Sequence, residues 1–175
     1  GRVALAGCGP LLWLYAAQLK RAGGEIAAIL DTTPRENRRA ALRHAPAFLF
    51  SPYALKGLRL MREARAGTCV VRGVTSLEAF GEGRLAGLRY EAGGESGEIA
   101  LDALLLHQGV APNVNLAMAA GVAHRWNEAQ ACFVPTLDAR GQSSVAGLYI
   151  AGDGAGIGGA EAAALRGRLA ASACL

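Results

Sequence analysis

The feature that most constrains this chain is a pair of glycines placed between an apolar run and a helical pattern. Val3 to Ala6 is typical of a buried strand, Gly7 to Pro10 of a tight turn, and Leu11 to Arg21 of a helix. Glu25 to Leu30 then predicts a second strand, which leads into Asp31. A strand, a glycine turn, a helix and a strand within about 30 residues predict a βαβ unit with parallel strands.

The turn matches the first two positions of the dinucleotide-binding fingerprint with Gly7 and Gly9. A pyrophosphate must approach backbone N–H groups at a helix N-terminus, and residues without a Cβ permit that approach. Leu12 stands where a third Gly or Ala is expected. We expect this larger side chain to loosen only the packing of the helix on the strand. A functional dinucleotide site is favoured, and a vestigial Rossmann turn is the alternative. The residues predicted to bind the cofactor in this turn are Gly7, Gly9, Pro10 and Leu11.

Asp31 is predicted to complete this site. It lies 22 residues after Gly9, close to the spacing of about 20 at which a carboxylate accepts hydrogen bonds from an adenosine ribose. A carboxylate repels a 2′-phosphate, so NAD is favoured and NADP is less favoured. Three arginines just downstream could reach a phosphate, although a solvated helix face is the preferred interpretation. They are Arg35, Arg38 and Arg39.

The remaining pattern predicts a Rossmann-like, three-layer α/β domain over residues 1–108 and a second segment over 109–175. Short strands from Val74 to Leu101, separated by glycine turns, indicate an antiparallel β-meander. Asp102 to His107 indicates a central strand that returns to the parallel sheet. We expect irregular structure from 122 to 146, a strand at 148–151 and a helix at 160–171.

Composition excludes several classes of partner and site. Hydrophobic residues make up 52% of the chain and charged residues 18%, which indicates a packed globular protein. The net charge of +4 includes no long basic run interleaved with aromatics, so no nucleic-acid partner is predicted. The turn at Gly7 to Pro10 interrupts the most apolar stretch, so we predict no membrane span and no targeting peptide.

The cysteines predict neither a zinc site nor a redox disulfide, because they lie far apart and form no C-x-x-C pair. Reduced, mostly buried thiols favour a cytoplasmic protein. Paired carboxylates, a Ser-His-Asp order and metal-ligand spacings are also missing, so we predict no catalytic residue and no metal ligand. The four cysteines are Cys8, Cys69, Cys132 and Cys174.

A second motif, Tyr149-Ile150-Ala151-Gly152-Asp153-Gly154, follows a Gly109-x-x-Pro112-Asn113 sequence. With these two motifs the chain resembles the two-dinucleotide FAD/NAD(P)-dependent oxidoreductases of the pyridine nucleotide-disulfide reductase superfamily. The resemblance implies that Asp153 accepts a hydrogen bond from the ribityl chain of FAD. The alternative is that Asp153 only caps the following helix. The other flavin-site residues implied by the resemblance are Gly109, Pro112, Gly152 and Gly154.

Within that superfamily, the residues His124 to Asn127 and the glycine run Gly152 to Gly159 are similar to one branch. It comprises the A (alpha) subunits of opine oxidases, hydrogen cyanide synthase and sarcosine oxidase-like amine dehydrogenases. The resemblance implies FAD and NAD as cofactors, a partner that is a second flavoprotein subunit, and oxidation of an amino acid, opine or other amine. It also implies that 1–108 is the NAD(P)-binding domain and 109–175 the C-terminal part of the FAD-binding domain.

The residues depart from the family pattern in three respects, and two alternatives stay open. One departure is His107-Gln108, where the family has Ala-Thr before the glycine at position 109. The family's own N-terminal FAD fingerprint does not occur among these 175 residues, and the cysteine pair of its disulfide-reducing members is missing. One alternative is a non-catalytic structural subunit or fragment with a vestigial NAD site. The other is a flavin-free, NAD-dependent reductase.

Overall fold

The computed structural model describes residues 1–51 and 53–174 and divides into two compact units, Gly1–Gly109 and Val110–Leu175. The division lies one residue beyond the expected seam, and the cofactor assigned to each unit stays a prediction. No helix in the described part of the chain is long and apolar enough to cross a bilayer.

In its described residues, the first unit contains a parallel sheet, an antiparallel meander and four helices. Its strands are β1 (Val3–Gly7), β2 (Ile26–Asp31), β3 (Cys69–Arg72), β4 (Val74–Phe80), β5 (Gly87–Ala92), β6 (Glu95–Ala100) and β7 (Ala103–His107). Its helices are α1 (Pro10–Arg21), α2 (Arg35–Leu42), α3 (Ala45–Leu49) and α4 (Tyr53–Arg65). The Rossmann-like α/β fold predicted from the sequence is confirmed.

The parallel sheet has the order β3-β2-β1-β7, and the meander has the order β4-β5-β6. The expectation that residues 102–107 form a central strand is wrong for the strands that the structure describes. Strand β7 pairs with β1 alone and lies at the sheet edge, with Leu106 65% exposed. Three consecutive leucines predicted burial on both faces, but an edge strand leaves part of its surface uncovered.

The two faces of the parallel sheet pack against different layers, because side chains alternate along a strand. Leu5 and Ile29 face the helices and join a core cluster with Leu12 of α1 and Ala64 of α4. On the other face, Leu30 belongs to a cluster that includes meander residues. The order of layers is therefore helices, parallel sheet, meander. Leu12, at the third fingerprint position, is 1% exposed and fills space between α1 and the sheet.

Helices α1 and α4 are joined by charged side chains near their C-terminal ends. Arg21 Nε lies 2.6 Å from Glu63 Oε1, and this guanidinium holds the pKa of the Glu63 carboxyl below its ordinary value of 4.5. Lys20 Nζ donates to the carbonyl oxygens of Glu63, Ala64 and Ala66. A cation at the carbonyl end of a helix is stabilising, so these contacts fix the end of α4 on α1.

The second unit differs from expectation in its middle. It contains α5 (Asn115–Ala119), β8 (His124–Asn127), β9 (Cys132–Pro135), a 3₁₀ turn (Gly152–Ala155) and α6 (Ala160–Ala173). The stretch expected to be irregular holds the β8-β9 hairpin, in which the Trp126 and Phe133 rings meet edge to face at 5.2 Å. The strand expected at 148–151 is instead a single bridge between Tyr149 and Gln142. Strands of four residues are too short for alternation to show them.

Gly7 packs so closely against β7 that we predict a large loss of stability for Gly7→Ala. A Cβ at Gly7 would lie 1.7 Å from the carbonyl oxygen of His107, and the φ of +144° is also unfavourable to a side chain. We expect the free energy of unfolding to fall by about 2 to 4 kcal/mol. Urea unfolding of the full-length protein measures this change.

The matched control is Gly23→Ala, because Gly23 has a φ of +80° but nothing within 4 Å of an added Cβ. We expect this control to lose about 1 kcal/mol, the cost of the left-handed backbone alone. Equal losses in the two variants would contradict the packing role assigned to Gly7.

Candidate functional site

The four parallel strands of the first unit end at one level. The pairing register places Arg72 beside Asp31, Asp31 beside Gly7, and Gly7 beside His107. These are the last residues of β3, β2, β1 and β7. In open α/β sheets, ligands bind in the crevice outside the carboxyl ends of the strands. The register thus defines one edge of the sheet as the candidate site.

A cavity of about 790 Å³ lies at this edge. The residue that follows each of the four strands lines it: Cys8, Thr32, Gly73 and Gln108. The start of α2 and the meander supply the other walls: Thr33, Pro34, Arg35, Glu36, Asn37, Val74, Thr75, Ser76, Leu77, Gly93 and Gly94. Its volume lies within the range of about 300–1,000 Å³ that is common for ligand pockets.

Hydrogen bonds connect the strand ends beneath the cavity. Gln108 Oε1 accepts from Thr32 Oγ1 at 3.4 Å and from Cys8 Sγ at 3.8 Å. The backbone N–H of Cys8 donates to His107 O, and that of Thr32 donates to Gly7 O, both at 2.9 Å. Sequence reasoning missed Cys8, Thr32 and Gln108 as site residues. Their one signal is position, since each directly follows a predicted strand.

The N-terminus of α1 is open to an anion. Gly9 is its N-cap, with a φ of +88° and nothing within 4 Å of the place where a Cβ would be. Pro10 occupies the first helical position and is exposed, and no acidic residue lies in the first turn. The N–H groups of the first helical turn, including that of Leu11, have no acceptor within the helix. This geometry fits a pyrophosphate, which needs free N–H groups and close approach.

Gly7 has a different role from Gly9. Its α-carbon is buried against the carbonyl of His107, so its missing side chain permits the approach of β7 to β1. Gly9 is therefore the glycine of the pair that leaves space for a ligand.

Asp31 is nearly buried and already holds two hydrogen bonds. Its side chain is 10% exposed. Thr33 N–H donates to Oδ1 at 2.9 Å, and Arg38 Nη2 donates to Oδ2 at 3.1 Å. The interpretation of this arginine as part of a solvated helix face is therefore wrong. Each carboxylate oxygen can accept a second hydrogen bond, so a ribose would share Asp31 with Arg38.

In the second unit, Asp153 is exposed within the 3₁₀ turn before α6. The N-cap of α6 is Gly159, so the alternative in which Asp153 caps this helix does not match the geometry. Gly152 has a φ of +69° with open space around it, and an added Cβ at Gly154 would meet no atom closer than 3.7 Å. A ribityl chain therefore has access to the Asp153 carboxylate.

The residues of the Gly109-x-x-Pro112-Asn113 motif lie in different environments. Gly109 is exposed, with a φ of +128° and open space at its α-carbon. Pro112 is buried, and the side chain of Asn113 accepts the N–H of Asn115 at 3.2 Å, at the start of α5. A cofactor contact for Gly109 or Pro112 stays a prediction.

No protein-family model matches the chain. The opine oxidase A subunit of Rhizobium meliloti is 49% identical over 173 residues, which are 99% of this chain and 33% of that protein. The opine oxidase A subunit of Agrobacterium tumefaciens (strain Ach5) is 47% identical over 175 residues, 100% of this chain and 35% of that protein. These relatives confirm the resemblance to opine oxidase A subunits. The chain spans about a third of the length of both relatives.

Among solved structures, the thioredoxin reductase of T. acidophilum is similar with a TM-score of 0.68 and 20% sequence identity. The match covers 99% of this chain and 51% of the reductase. This likeness supports the Rossmann-like fold.

The contact between Asp31 and Arg38 generates a prediction for a double-mutant cycle with Asp31→Asn, Arg38→Met and the double variant. Because Asp31 is nearly buried, we expect a coupling free energy of about 1 kcal/mol, at the upper end for partly exposed pairs. The measurement is urea unfolding of the full-length protein.

The control pair is Arg89 with Glu98, whose nitrogen and oxygen lie 3.0 Å apart while both side chains are more than half exposed. Arg89→Met and Glu98→Gln should show a coupling of less than about 0.5 kcal/mol. A coupling at Asp31 no larger than this control would mean that Arg38 does not stabilise the carboxylate.

Proposed function

We propose that this chain is the dinucleotide-binding part of a flavin-dependent oxidoreductase subunit that supports oxidation of an amino acid, opine or other amine. The observation that carries the proposal is the open N-terminus of α1 beside the cavity at the ends of four parallel strands. The relatives are named as A subunits of opine oxidase, which supports the substrate class and an assembly with at least one other subunit.

The first unit, in this proposal, binds NAD. Gly9, Pro10 and Leu11 place the α1 N-terminus against the pyrophosphate, and Asp31 accepts hydrogen bonds from the adenosine ribose. NAD is favoured over NADP because Asp31 would repel a 2′-phosphate. Arg38 uses one of its donors on Asp31, which restrains the guanidinium from turning toward a phosphate.

The second unit supplies the C-terminal part of a flavin site. The exposed carboxylate of Asp153 would accept a ribityl hydroxyl, and Gly152 and Gly154 leave room for the chain. FAD, when bound, would supply electron-transfer chemistry, and the second flavoprotein subunit would oxidise the C–N bond. The residues of this unit bind and orient the cofactor.

One observation favours a second candidate, a structural subunit with a vestigial NAD site. The carboxylate that would hold the ribose is nearly buried and paired with Arg38. A chain that keeps the fold for assembly and no longer binds the dinucleotide would tolerate this pairing. NAD binding separates the two candidates.

Titration calorimetry of the full-length protein tests the NAD site. We expect wild type to bind NAD more tightly than NADP, and Gly9→Val to weaken NAD binding about tenfold or more, because the branched side chain would occupy the approach to the α1 N-terminus. Gly67→Val is the matched control, since Gly67 also has a positive φ, +67°, and open space, at the end of α4. Absence of binding heat in wild type at millimolar NAD would favour the structural subunit.

The visible spectrum of the purified full-length protein tests the flavin proposal. We expect bound FAD in wild type and a loss of retained FAD in Asp153→Ala, because a hydrogen-bond acceptor for the ribityl chain is removed. Glu161→Ala, which removes another exposed carboxylate from the same unit, should retain FAD. A colourless preparation with full activity would contradict the proposal.

A further inference from the structure

A cluster of exposed apolar side chains covers the helices between β2 and β3. We call it the α2–α4 patch. Its members are 46% to 94% exposed, and Phe50 is the most exposed. A surface with so many exposed large apolar side chains is typical of an interaction site. The patch consists of Leu42, Phe48, Leu49, Phe50, Tyr53, Leu55 and Leu58.

The patch is not the poorly packed side of a core helix. Helix α4 has an inner face, where Ala64 is fully buried and Leu60 packs against the core cluster around α1. Leu55 and Leu58 are 79% and 54% exposed. Helix α3 lies against α4, since a Cβ at Gly57 would come within 3.4 Å of the Phe48 ring. The helices are therefore anchored on one side and present apolar side chains on the other.

Positive charge is concentrated around the same surface. Residues 35–65 contain eight Arg or Lys and two Asp or Glu, a net charge of +6, whereas the whole chain carries +4. The other residues together are therefore net negative. The exposed basic side chains next to the patch are Arg39, Arg43, Lys56, Arg59 and Arg62.

The charges lie within the apolar surface as well as around it. On α4, Leu55, Leu58, Arg59 and Arg62 follow the spacing of one helix face. A lipid surface would require these guanidinium groups to enter or skirt the apolar layer, which is unfavourable. A protein surface can place carboxylates opposite them while its apolar side chains meet the leucines.

We propose that the α2–α4 patch docks a second protein, whose contact face is apolar and rimmed by Asp and Glu side chains, as another subunit of the same assembly. Three of the chain's ten aromatic residues lie within six positions, Phe48, Phe50 and Tyr53, and aromatic side chains are enriched at protein interfaces. This inference rests on the proposed function only in taking the chain to be part of a multi-subunit enzyme.

Carbodiimide cross-linking of the full-length protein, purified with its co-expressed subunits, tests the partner and its chemistry together. The reagent joins a lysine amine directly to a carboxyl group that touches it. These 175 residues contain two lysines, Lys20 and Lys56. We expect Lys56 to be linked to an Asp or Glu of a second polypeptide. Lys20 is the internal control, because its amine donates to carbonyl oxygens at the end of α4.

Substitutions in the patch provide the second measurement. Leu55→Ser and Arg59→Glu should each weaken binding of the second subunit, raising its dissociation constant about tenfold or more. Leu116→Ser and Arg84→Glu are matched controls on exposed residues elsewhere, and should change it less than about twofold. The loss caused by Arg59→Glu should shrink at an ionic strength of about 1 M, where charges are screened beyond about 3 Å. Thermal unfolding verifies that all four variants are folded.

Four results would overturn the proposal. They are a Lys56 cross-link to another copy of the chain, a Lys56 cross-link within one polypeptide, an intact assembly with no Lys56 cross-link, and patch variants that keep the second subunit but lose binding to vesicles of anionic lipid.

NAD titration and the flavin spectrum are measured on the same samples. A protein that forms the expected cross-link but binds neither cofactor contradicts the proposed function and leaves the docking surface standing.

Discussion

The carbonyl oxygen of His107 lies so close to the α-carbon of Gly7 that no side chain fits between them. This approach lets β7 pair with β1 along its whole length and brings the last residues of the four strands to one level. The residues that directly follow these strands then line a common cavity at the carboxyl edge. The glycine thus acts on the site through the sheet, whereas its neighbour Gly9 leaves the space that a ligand would use.

The same sheet separates two packing environments. One face carries Leu5 and Ile29 toward the helices, and the other carries Leu30 toward the meander. Packed layers therefore support the strands on both faces of the sheet. Helices α2 and α3 bury no residue in this core. They carry Arg35 at the cavity and exposed apolar side chains on the outer surface.

Asp31 lies where the dinucleotide-binding motif requires a carboxylate, but other residues of the chain already donate hydrogen bonds to it. Its spacing from Gly9 fits ribose binding, and the structure places it at the end of β2 as that motif requires. The hydrogen bonds from Thr33 and Arg38 then fill part of its capacity. Thr33 and Arg38 therefore occupy hydrogen-bonding positions on the carboxylate that a ligand would otherwise use.

Local pattern in the sequence determined the βαβ unit, the meander and the start of α6, because glycine turns, strand alternation and helix periodicity are properties of neighbouring residues. The order of the strands, the edge position of β7 and the β8-β9 hairpin were decided by tertiary contacts. A four-residue strand such as His124–Asn127 has too little periodicity to be recognised alone. The partners of Asp31 and the convergence of Cys8, Thr32 and Gln108 likewise depended on folding. They join residues up to 100 positions apart, and such pairing arises only when the strands that carry them become neighbours in the sheet.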